Sequence, residues 1–398
     1  MSALRVDQAL AAIYANCPSL TTVSMGLREL NGQVLAETII MERDQPPFER
    51  VTMDGIALHS SSTTRALRIV GTQAAGAAPL SITNTDHCIE VMTGAELPTG
   101  CDCVIPVEQL VRQQDEAQLI DTARPSPWLN VHRRGSDAQQ GQAMLHPGTR
   151  LSATQIAVLA SAGYAHATVR RSPRIALVST GDELVEPGSP IQHWQVRRSN
   201  TYALQAALQQ HGHTQVVDQH LADDLPTLRT ALDQLLQQHD VLILSGGVSM
   251  GQFDYVPQVL TELGVQCIFH KIAQRPGKPM WFGVRSDGKA VYALPGNPVS
   301  TLMCLHRYVL PGLLHAMGMS TRPTEQIALL HTAKADQGLT VFMPIKLTPD
   351  VNSSVRAEPC PTRGSGDFIS LLGTDGFVEL PPAQGMIAAG TVVPLYRW

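Results

Sequence analysis

Residues 240–251 read Asp-Val-Leu-Ile-Leu-Ser-Gly-Gly-Val-Ser-Met-Gly. The apolar run from Val241 to Leu244 has the length of a buried strand, and the glycines that follow it favour a sharp turn. A helical pattern then occupies residues 255–263. A strand that passes through glycines into a helix is the repeating unit of a parallel sheet covered by helices, so this stretch indicates an α/β fold.

The same alternation of strands and helices extends over residues 172–322. The predicted strands are Ile175–Ser179, Gln215–Asp218, Asp240–Ser245 and Ala290–Leu294, and the predicted helices are Tyr202–Gln210, Pro226–Gln238 and Tyr255–Leu263. A further helix is predicted from Pro298, with Asn297 as its N-cap, and Pro311 is expected to kink or end it. The pattern predicts a mostly parallel sheet in a three-layer domain.

Other patterns occur on both sides of this domain. Helical patterns begin at Val6 and at Ser152, short β-rich runs separated by turn residues lie between them, and four more β-runs follow Pro323. The predicted fold is therefore multidomain, α/β and β. The predicted domains are a discontinuous helical domain (1–51 plus 141–171), an inserted β-domain (52–140), the α/β domain (172–322) and a small C-terminal β-barrel or sandwich (323–398).

Composition excludes several classes of protein. The chain has 398 residues, 29 Lys and Arg against 34 Asp and Glu, and a formal net charge of −5. Without a long basic run, neither nucleic acid nor an anionic membrane is an expected partner. No apolar run reaches the roughly 18 residues of a spanning helix, and the N-terminus lacks the pattern of a signal peptide. The seven cysteines contain no C-x-x-C pair, so we expect reduced thiols in a soluble cytoplasmic protein.

The glycine loop after the third predicted strand is suited to an anion. Gly246 and Gly247 let backbone N–H groups approach closely, and Ser249 adds a hydroxyl donor. The loop has neither the P-loop nor the dinucleotide-binding signature. Taken alone, it is more simply explained as a tight turn between strand and helix. Three cations in one later loop favour phosphate binding, although a solvated basic loop would look the same: Lys271, Arg275 and Lys278.

Carboxylates give a second signal. Asp182 and Glu183 follow a predicted strand directly, Asp223 and Asp224 follow another near a helix start, and Asp254 ends the glycine loop. Carboxylates beside phosphate usually hold a divalent cation, and Mg²⁺ with one or two carboxylates is the common arrangement. For Asp224, an ordinary helix-start carboxylate is at least as good an interpretation. Glu183 and Asp254 flank the same predicted sheet edge, so we expect them to be functional.

Six motifs occur in order along the chain. They are Pro47–Ala57 (Pro-Phe-Glu-Arg-Val-Thr-Met-Asp-Gly-Ile-Ala), Met92–Ala95 with Pro98–Val104, Ser179–Leu184, Ser245–Gly251, Arg275–Pro279 and Leu294–Ser300. From spacing alone, the segments around Asp54, Thr93 and Asp137 could each be a simple turn. Together, however, the six motifs resemble those of the molybdopterin molybdenumtransferases, the bacterial MoeA family, which is related to the E domain of gephyrin. The resemblance covers essentially the whole chain.

The resemblance implies an architecture and a reaction. It implies a helical domain split by a β-domain, a molybdopterin-binding α/β domain and a C-terminal β-barrel. It also implies a homodimer whose cleft lies between the α/β domain of one subunit and the inserted β-domain of the other. The implied reaction ligates molybdenum from molybdate to adenylylated molybdopterin, with Mg²⁺-dependent release of AMP. Besides these substrates, the implied partners are an upstream adenylyltransferase and downstream molybdoenzymes.

The resemblance also assigns residues to roles. The implied catalytic acids are Asp54, Asp137, Glu183, Asp223 and Asp254, of which Glu183, Asp223 and Asp254 would hold Mg²⁺. The implied contacts to pterin, phosphate or molybdate are Thr93, Gly246, Gly247, Ser249, Lys271, Arg275, Lys278, Asn297 and Ser300. Because the substrates are anions, we expect the cations to attract them while the metal neutralises the phosphates.

Four positions depart from the family pattern. Thr52 precedes Met-Asp-Gly, Ser136 replaces a glutamate, Arg275 replaces a lysine, and residues 340–346 lack an arginine beside Phe342. The second and fourth departures motivate an alternative, a non-catalytic protein that binds molybdopterin or finished cofactor or serves as a scaffold. A tungstate-specific transferase is another alternative, because tungstate and molybdate have the same charge and nearly the same size.

Overall fold

A computed structural model describes residues 3–247, 255–320, 323–350 and 353–398. Within these ranges the α-helices are α1 (Val6–Asn16), α2 (Ala153–Ser161), α3 (Asn200–Gln210), α4 (Leu225–Gln238), α5 (Val256–Glu262), α6 (Pro298–Cys304) and α7 (Leu310–Ala316). A π-turn spans Leu305–Val309, and single 3₁₀ turns span Leu27–Glu29, Val107–Gln109 and Phe368–Leu371. In this described part of the chain, no helix is both long and apolar enough to cross a membrane.

The strands are short and numerous. In chain order they are β1 (Thr22–Gly26), β2 (Val34–Leu35), β3 (Ile39–Ile40), β4 (Arg50–Val51), β5 (Gly55–Leu58), β6 (Ala66–Gln73), β7 (His87–Val91), β8 (Cys103–Pro106), β9 (Leu110–Gln113), β10 (Glu116–Leu119), β11 (Val131–His132), β12 (Ala143–Leu145), β13 (His166–Arg170), β14 (Ile175–Thr180), β15 (Leu184–Val185), β16 (Val196–Arg197), β17 (Val216–Leu221), β18 (Val241–Ser245), β19 (Val265–His270), β20 (Gln274–Arg275), β21 (Trp281–Arg285), β22 (Lys289–Leu294), β23 (Gln326–Ala328), β24 (Ala333–Lys334), β25 (Thr340–Pro349), β26 (Val355–Pro359), β27 (Gly376–Leu380), β28 (Met386–Ile387) and β29 (Val392–Arg397).

The chain forms two compact units. The first comprises residues 1–37, 147–153 and 166–398, and the second comprises residues 38–146 and 154–165. The division into four domains made from the sequence stays a prediction. All seven cysteines are free thiols, as expected from their spacing.

The first unit is built around a six-stranded sheet in the order β17-β14-β18-β22-β21-β19. The first four strands pair in parallel, and β21 and β19 add an antiparallel edge. Successive residues of β14 face opposite sides: Ile175 and Leu177 pack with α1, α3 and α6, whereas Ala176 and Val178 pack with α4 and α5. This alternation makes three layers, so the predicted mostly parallel α/β fold is confirmed.

The antiparallel edge was absent from the sequence prediction. Gly283 lies inside β21, and a Cβ at this position would lie 2.6 Å from the Gln266 carbonyl oxygen of β19. Only glycine permits this approach of the two backbones, and a glycine within a strand weakens the strand pattern in the sequence.

The helix that starts at Pro298 continues past Pro311. Its α-helical hydrogen bonding stops after Cys304, the π-turn follows, and α7 resumes at Leu310. The N–H of Leu310 donates to the carbonyl of Leu305, one residue further back than in an α-helix. Pro311 then lies in the first turn of α7, where a missing N–H is tolerated. The predicted kink or end is therefore a π-turn inside a longer helix.

The C-terminal strands form a closed ring. The order is β25-β27-β29-β23, β26 pairs with the other edge of β25, and a bridge between Leu329 and Ala357 joins the two ends. Ile345, Val378 and Leu395 fill its interior. This ring confirms the predicted barrel, and β26 is an additional strand that the sequence pattern did not indicate.

The second unit contains a six-stranded sheet in the order β8-β5-β7-β6-β10-β9. Strand β5 is fully buried, and it pairs antiparallel with both β7 and the edge strand β8. A Cβ at Gly55 would lie 2.0 Å from the Ile105 carbonyl oxygen. This approach requires glycine directly after Asp54, at the point where the Met-Asp-Gly motif enters the sheet.

Candidate active site

The first unit contains an open cleft of ≈1460 Å³ at the carboxyl ends of its parallel strands. The ends of β14, β18 and β22 line it, together with the turn that follows β20 and segments of the C-terminal barrel. This is the edge at which open α/β sheets bind ligands. Eight of the predicted site residues line this one cleft: Glu183, Asp223, Gly246, Gly247, Arg275, Lys278, Asn297 and Ser300.

A glycine turn forms part of the cleft wall. Gly246 has φ +99° and Gly247 has φ +68°, a left-handed conformation that favours glycine. A Cβ on Gly246 would lie 3.0 Å from the Thr180 carbonyl oxygen, and one on Gly247 would lie 2.7 Å from Val256 Cγ2. The turn therefore needs two glycines, as a site where backbone approaches an anion does. Val248–Asp254 lie outside the described residues, and with them the predicted Ser249 and Asp254.

Two predicted acids lie in the cleft. Glu183 lies in the turn after β14, behind Gly181 and Asp182, and is exposed. Asp223 lies just before α4, where its backbone N–H donates to the carboxylate of Asp182 over 3.3 Å. Their neighbour Asp224 has a different role: it is the N-cap of α4, and its carboxylate accepts the Thr227 N–H over 3.0 Å. The helix-start interpretation of Asp224 is thus confirmed.

Two predicted cations lie in one turn of the cleft wall. Arg275 and Lys278 are exposed, whereas Gly277 between them is buried. Lys271 is not among the residues that line the cleft; it is half-buried, and its N–H donates to the Met280 carbonyl over 2.9 Å. The structure therefore brings two of the three loop cations to the site.

The N-terminus of α6 faces the same cleft. Asn297 occupies the N-cap position, as predicted, but its side chain makes no capping bond and instead donates to Ser365 Oγ over 2.7 Å. The backbone N–H of Val299 donates to the Ser365 carbonyl over 3.0 Å. Ser300 is buried in the first turn of the helix. These bonds attach the segment Pro361–Gly366 to the mouth of the cleft.

The C-terminal barrel adds residues that sequence reasoning missed. Lys334 and Arg363 line the cleft and are exposed, and Asp336 lies near Lys334 in the chain. Residues 340–346 lack an arginine beside Phe342, and the sequence motifs predict no site residue in this domain. The Arg-Gly-Ser-Gly run at residues 363–366 is the sequence pattern that indicates Arg363 as a site residue. It places a cation beside glycines, as the predicted anion-binding segment at residues 275–279 does.

Three polar atoms in or beside the cleft have no hydrogen-bond partner among the described residues: Thr180 Oγ1, Arg198 Nε and Asn200 Oδ1. Asn200 donates its amide hydrogens to Ser245 Oγ over 2.8 Å and to the Gly296 carbonyl over 2.7 Å. Its carbonyl oxygen is thereby left as an acceptor. Buried polar atoms in proteins normally have partners, so these atoms favour a polar ligand.

The second unit holds the other predicted site residues. The carboxylate of Asp54 accepts the backbone N–H of Thr93 over 2.6 Å and its hydroxyl over 2.8 Å. These two hydrogen bonds lower the pKa of Asp54, because they stabilise the charged form. Gly94 follows with φ +88°. The two motifs Met-Asp-Gly and Met-Thr-Gly thus form one structure.

Asp137 is fixed by a different set of neighbours. Its carboxylate lies 2.7 Å from His132 Nε2, and its backbone N–H donates to the Gln45 carbonyl over 2.9 Å. The other ring nitrogen of His132 lies 2.9 Å from an Arg50 guanidinium nitrogen. Arg50 therefore favours the His132 tautomer that accepts at Nδ1 and donates to Asp137.

Family models match three successive regions of the chain. Residues 4–163 match the MoeA N-terminal region (domain I and II), residues 176–315 match a probable molybdopterin binding domain, and residues 326–398 match the MoeA C-terminal region (domain IV).

Individual relatives match over their full length. The chain is 40% identical to the molybdopterin molybdenumtransferase of Synechocystis sp., over 99% of this chain and 100% of the relative. It is 31% identical to the molybdopterin molybdenumtransferase of Haemophilus influenzae, over 98% of both chains. A crystal structure described as a molybdopterin biosynthesis moea protein from Pyrococcus horikosii is similar with a TM-score of 0.79 and 30% identity, over 100% of this chain and 99% of that chain. On these full-length matches, the chain belongs to the molybdopterin molybdenumtransferase family, the MoeA family that its six motifs resemble.

Proposed function

We propose that this protein is a transferase that inserts molybdenum from molybdate into adenylylated molybdopterin, with release of AMP, in the biosynthesis of molybdenum cofactor. One observation carries the proposal: a single cleft sets two carboxylates, Glu183 and Asp223, and two cations, Arg275 and Lys278, around a glycine turn. Full-length relatives are named for this transferase activity.

The cations provide the binding of anions. Both substrates carry oxyanions, the phosphates of adenylylated molybdopterin and molybdate itself. Arg275 and Lys278 are exposed in the cleft and form no ion pair among the described contacts, so their charges are available. Arginine binds oxyanions through two parallel N–H groups and lysine acts as a point charge. The pair therefore supports binding of a tetrahedral oxyanion beside the glycine turn.

The carboxylates suit a magnesium ion. Mg²⁺ prefers oxygen ligands and usually takes one or two carboxylates with phosphate oxygens of the substrate. Glu183 and Asp223 would hold it, with Asp254 as a third ligand outside the described residues. No group of three or more His, Cys, Asp or Glu within the described ranges is placed to hold a metal, so the remaining ligands would come from substrate, water or Asp254. The bound ion would supply charge that stabilises the phosphates as AMP leaves.

A homodimer is part of the proposal. From the family resemblance we expect Asp54, Thr93 and Asp137 of one subunit to lie beside the α/β cleft of the other. The hydrogen bonds of Thr93 lower the pKa of Asp54, because they stabilise the charged carboxylate, and this suits a group that acts as a negative charge near a metal ion. An adenylyltransferase would supply the adenylylated molybdopterin, the completed molybdenum cofactor would pass to molybdoenzymes, and the reaction would take place in the cytoplasm.

The test is release of AMP by purified protein given adenylylated molybdopterin, molybdate and Mg²⁺. We expect Glu183→Ala and Lys278→Ala to lower the rate by about 100-fold or more, since each removes charge aimed at the reacting groups. Glu262→Ala and Lys346→Ala are matched controls outside the cleft and should retain the wild-type rate. Wild-type rates in Glu183→Ala would overturn the assignment of the site.

The same assay separates the alternatives. Binding of molybdopterin without release of AMP would identify a non-catalytic binding or scaffolding protein. Release of AMP with tungstate but not with molybdate would identify a tungstate-specific transferase. Release that depends on molybdate and on Mg²⁺ is the result we expect.

A further inference from the structure

The turn that carries Arg275 and Lys278 is built around the buried side chain of Gln274. This side chain belongs to a residue that is 1% exposed. Its amide nitrogen donates to the carbonyls of Pro276 over 3.2 Å and Gly277 over 3.3 Å. Pro276 and Gly277 lie between Arg275 and Lys278 in the sequence. The single amide of Gln274 therefore holds the part of the turn that joins the two cations.

Gly277 shows how tightly the turn closes on this amide. It has φ +93°, and a Cβ there would lie 2.7 Å from Gln274 Nε2 and 2.8 Å from Cys304 Sγ. Cys304 also contacts the amide nitrogen over 3.4 Å, and burial raises the pKa of its thiol to about 12. The absence of a side chain at Gly277 leaves room for the Gln274 amide, and the protonated thiol of Cys304 packs against it.

Tyr308 holds the other end of the same amide. Its hydroxyl donates to Gln274 Oε1, and Tyr308 is fully buried. Burial raises the pKa of Tyr308 well above its usual value, so the phenol keeps its proton and acts as the donor. Because Oε1 is occupied by this bond, Nε2 must face the carbonyls of the turn, and the amide has one favourable orientation.

The π-turn brings Tyr308 to this position. Cys304 directly precedes the π-turn, Tyr308 lies within it, and both contact the amide of Gln274. On the same turn, Arg307 pairs with Glu379 of the barrel over 2.8 Å. Such turns occur inside helices mostly as single units and often at functional sites. Here it lies directly behind the cations of the cleft.

We propose that Tyr308 and Gln274 form a positioning pair that holds Arg275 and Lys278 in the geometry that binds a tetrahedral oxyanion. This inference rests on the proposed function, which gives the two cations an oxyanion to bind. Tyr308 and Gln274 act through the turn and do not touch substrate. They are therefore positioning residues and not catalytic ones.

The first test measures the turn itself. Tyr308→Phe removes one hydroxyl and keeps the ring, and Gln274→Met, which keeps the length of the side chain but not the amide, is the second variant. Tyr292→Phe is the matched control, because it removes a buried hydroxyl from the same core without contacting the turn. The N–H of Ile272 donates to the Lys278 carbonyl over 2.9 Å. We expect its hydrogen exchange to accelerate about tenfold in the first two variants and not in the control.

The second test measures binding of molybdate by calorimetry. We expect Tyr308→Phe and Gln274→Met to weaken binding about tenfold and Tyr292→Phe to leave it unchanged, with Lys278→Ala as the reference for a lost cation. In the AMP-release assay, the KM for molybdate should rise about tenfold while kcat changes less than about threefold. A role in packing alone would lower stability without this division between KM and kcat.

Each outcome decides something different. If molybdate binding falls in Lys278→Ala but stays at the wild-type level in Tyr308→Phe, or if exchange of Ile272 is unchanged, the positioning pair is overturned and the proposed function stands. A second outcome is that exchange accelerates in Tyr308→Phe but molybdate affinity is unchanged even in Lys278→Ala. This result would show that the turn does not bind the oxyanion, and it would contradict the part of the proposed function that depends on these cations.

Discussion

Thr93 stabilises the charged form of Asp54. Both donors of Thr93, the backbone N–H and the hydroxyl, reach the same carboxylate oxygen, and they lower the pKa of Asp54. The hydroxyl can be removed without loss of the backbone bond. Two neighbouring motifs of the family pattern therefore act together on one charge.

Replacement of Asp54 by Asn keeps an acceptor for Thr93 but removes the charge. If the charge is required, AMP release by Asp54→Asn should fall about 100-fold or more, with unchanged circular dichroism. Asp86→Asn is the control, because Asp86 is exposed in the same unit. A rate within twofold of wild type for Asp54→Asn would show that the carboxylate is not needed.

His213 makes stability depend on pH. It is 2% exposed, and neither ring nitrogen has a hydrogen-bond partner in the described part of the chain. Burial, with smaller contributions from His211 and Arg150, lowers the pKa of His213 to about 4. In the unfolded chain the pKa is near the ordinary value of about 6.5. At pH values between these two pKa values, His213 is therefore protonated in the unfolded chain but mostly neutral in the folded protein.

Acidification should consequently destabilise the protein through this histidine. As the pH falls from about 6.5 to about 4, His213 alone should lower the free energy of unfolding by about 2–3 kcal/mol. Urea unfolding at pH 7 and pH 4.5 measures the difference, which should shrink in His213→Leu. His331 is exposed, so His331→Leu should keep the full pH dependence. An equal dependence in both variants would contradict the prediction.

At the level of elements, two adjacent acids at the start of α4 have different roles. Asp223 lines the cleft, whereas Asp224 caps the helix through the Thr227 N–H. A helix begins where its first N–H groups find acceptors, so the cap position belongs to Asp224. Asp223 lies one residue earlier, outside the helix.

Alanine at these two positions should therefore give opposite effects. Asp224→Ala should lower the melting temperature and leave AMP release near the wild-type rate, because the lost bond belongs to the helix. Asp223→Ala should lower AMP release at least about tenfold with little change in melting temperature. Differential scanning fluorimetry and the AMP assay on the two variants check both halves. Loss of activity in Asp224→Ala with an unchanged melting temperature would reverse the assignment.

At the level of the whole molecule, the resemblance predicts sites that two subunits share. Asp54→Ala and Glu183→Ala would each inactivate a homodimer. In a mixed dimer, one site would carry both substitutions and the other would carry neither. Random mixing gives about half mixed dimers with half their sites intact, so about a quarter of wild-type AMP release should return.

The complementation experiment needs only the two purified variants. They are unfolded, mixed and refolded together, and size-exclusion chromatography with light scattering establishes that dimers form. Each variant refolded alone is the control for residual activity. If the mixture has no more activity than the separate variants, the site lies within one subunit or the protein is not a dimer.

Local sequence was sufficient for much of this protein. The strand, glycine turn and helix around Gly246 depend on residues close together in the chain, and so do the cap at Asp224 and the positions of Glu183 and Asn297 at element ends. Each follows from short-range rules of burial, turn geometry and N–H satisfaction. For that reason the α/β fold and most of the cleft residues were predictable.

Tertiary structure determined which residues from distant parts of the chain complete the cleft. Arg363 and Lys334 come to the cleft because Ser365 bonds to Asn297 and the barrel closes through its own strand pairing. Gln274 becomes a buried centre of its turn only because Tyr308 reaches it from the π-turn. These contacts join segments far apart in the chain, and their side chains show no local pattern. Long-range packing fixes these contacts. The sequence alone therefore determined the helices and strands and the sheet edge at which the site lies. The tertiary structure determined which residues of the C-terminal barrel and of the Gln274 turn face that edge.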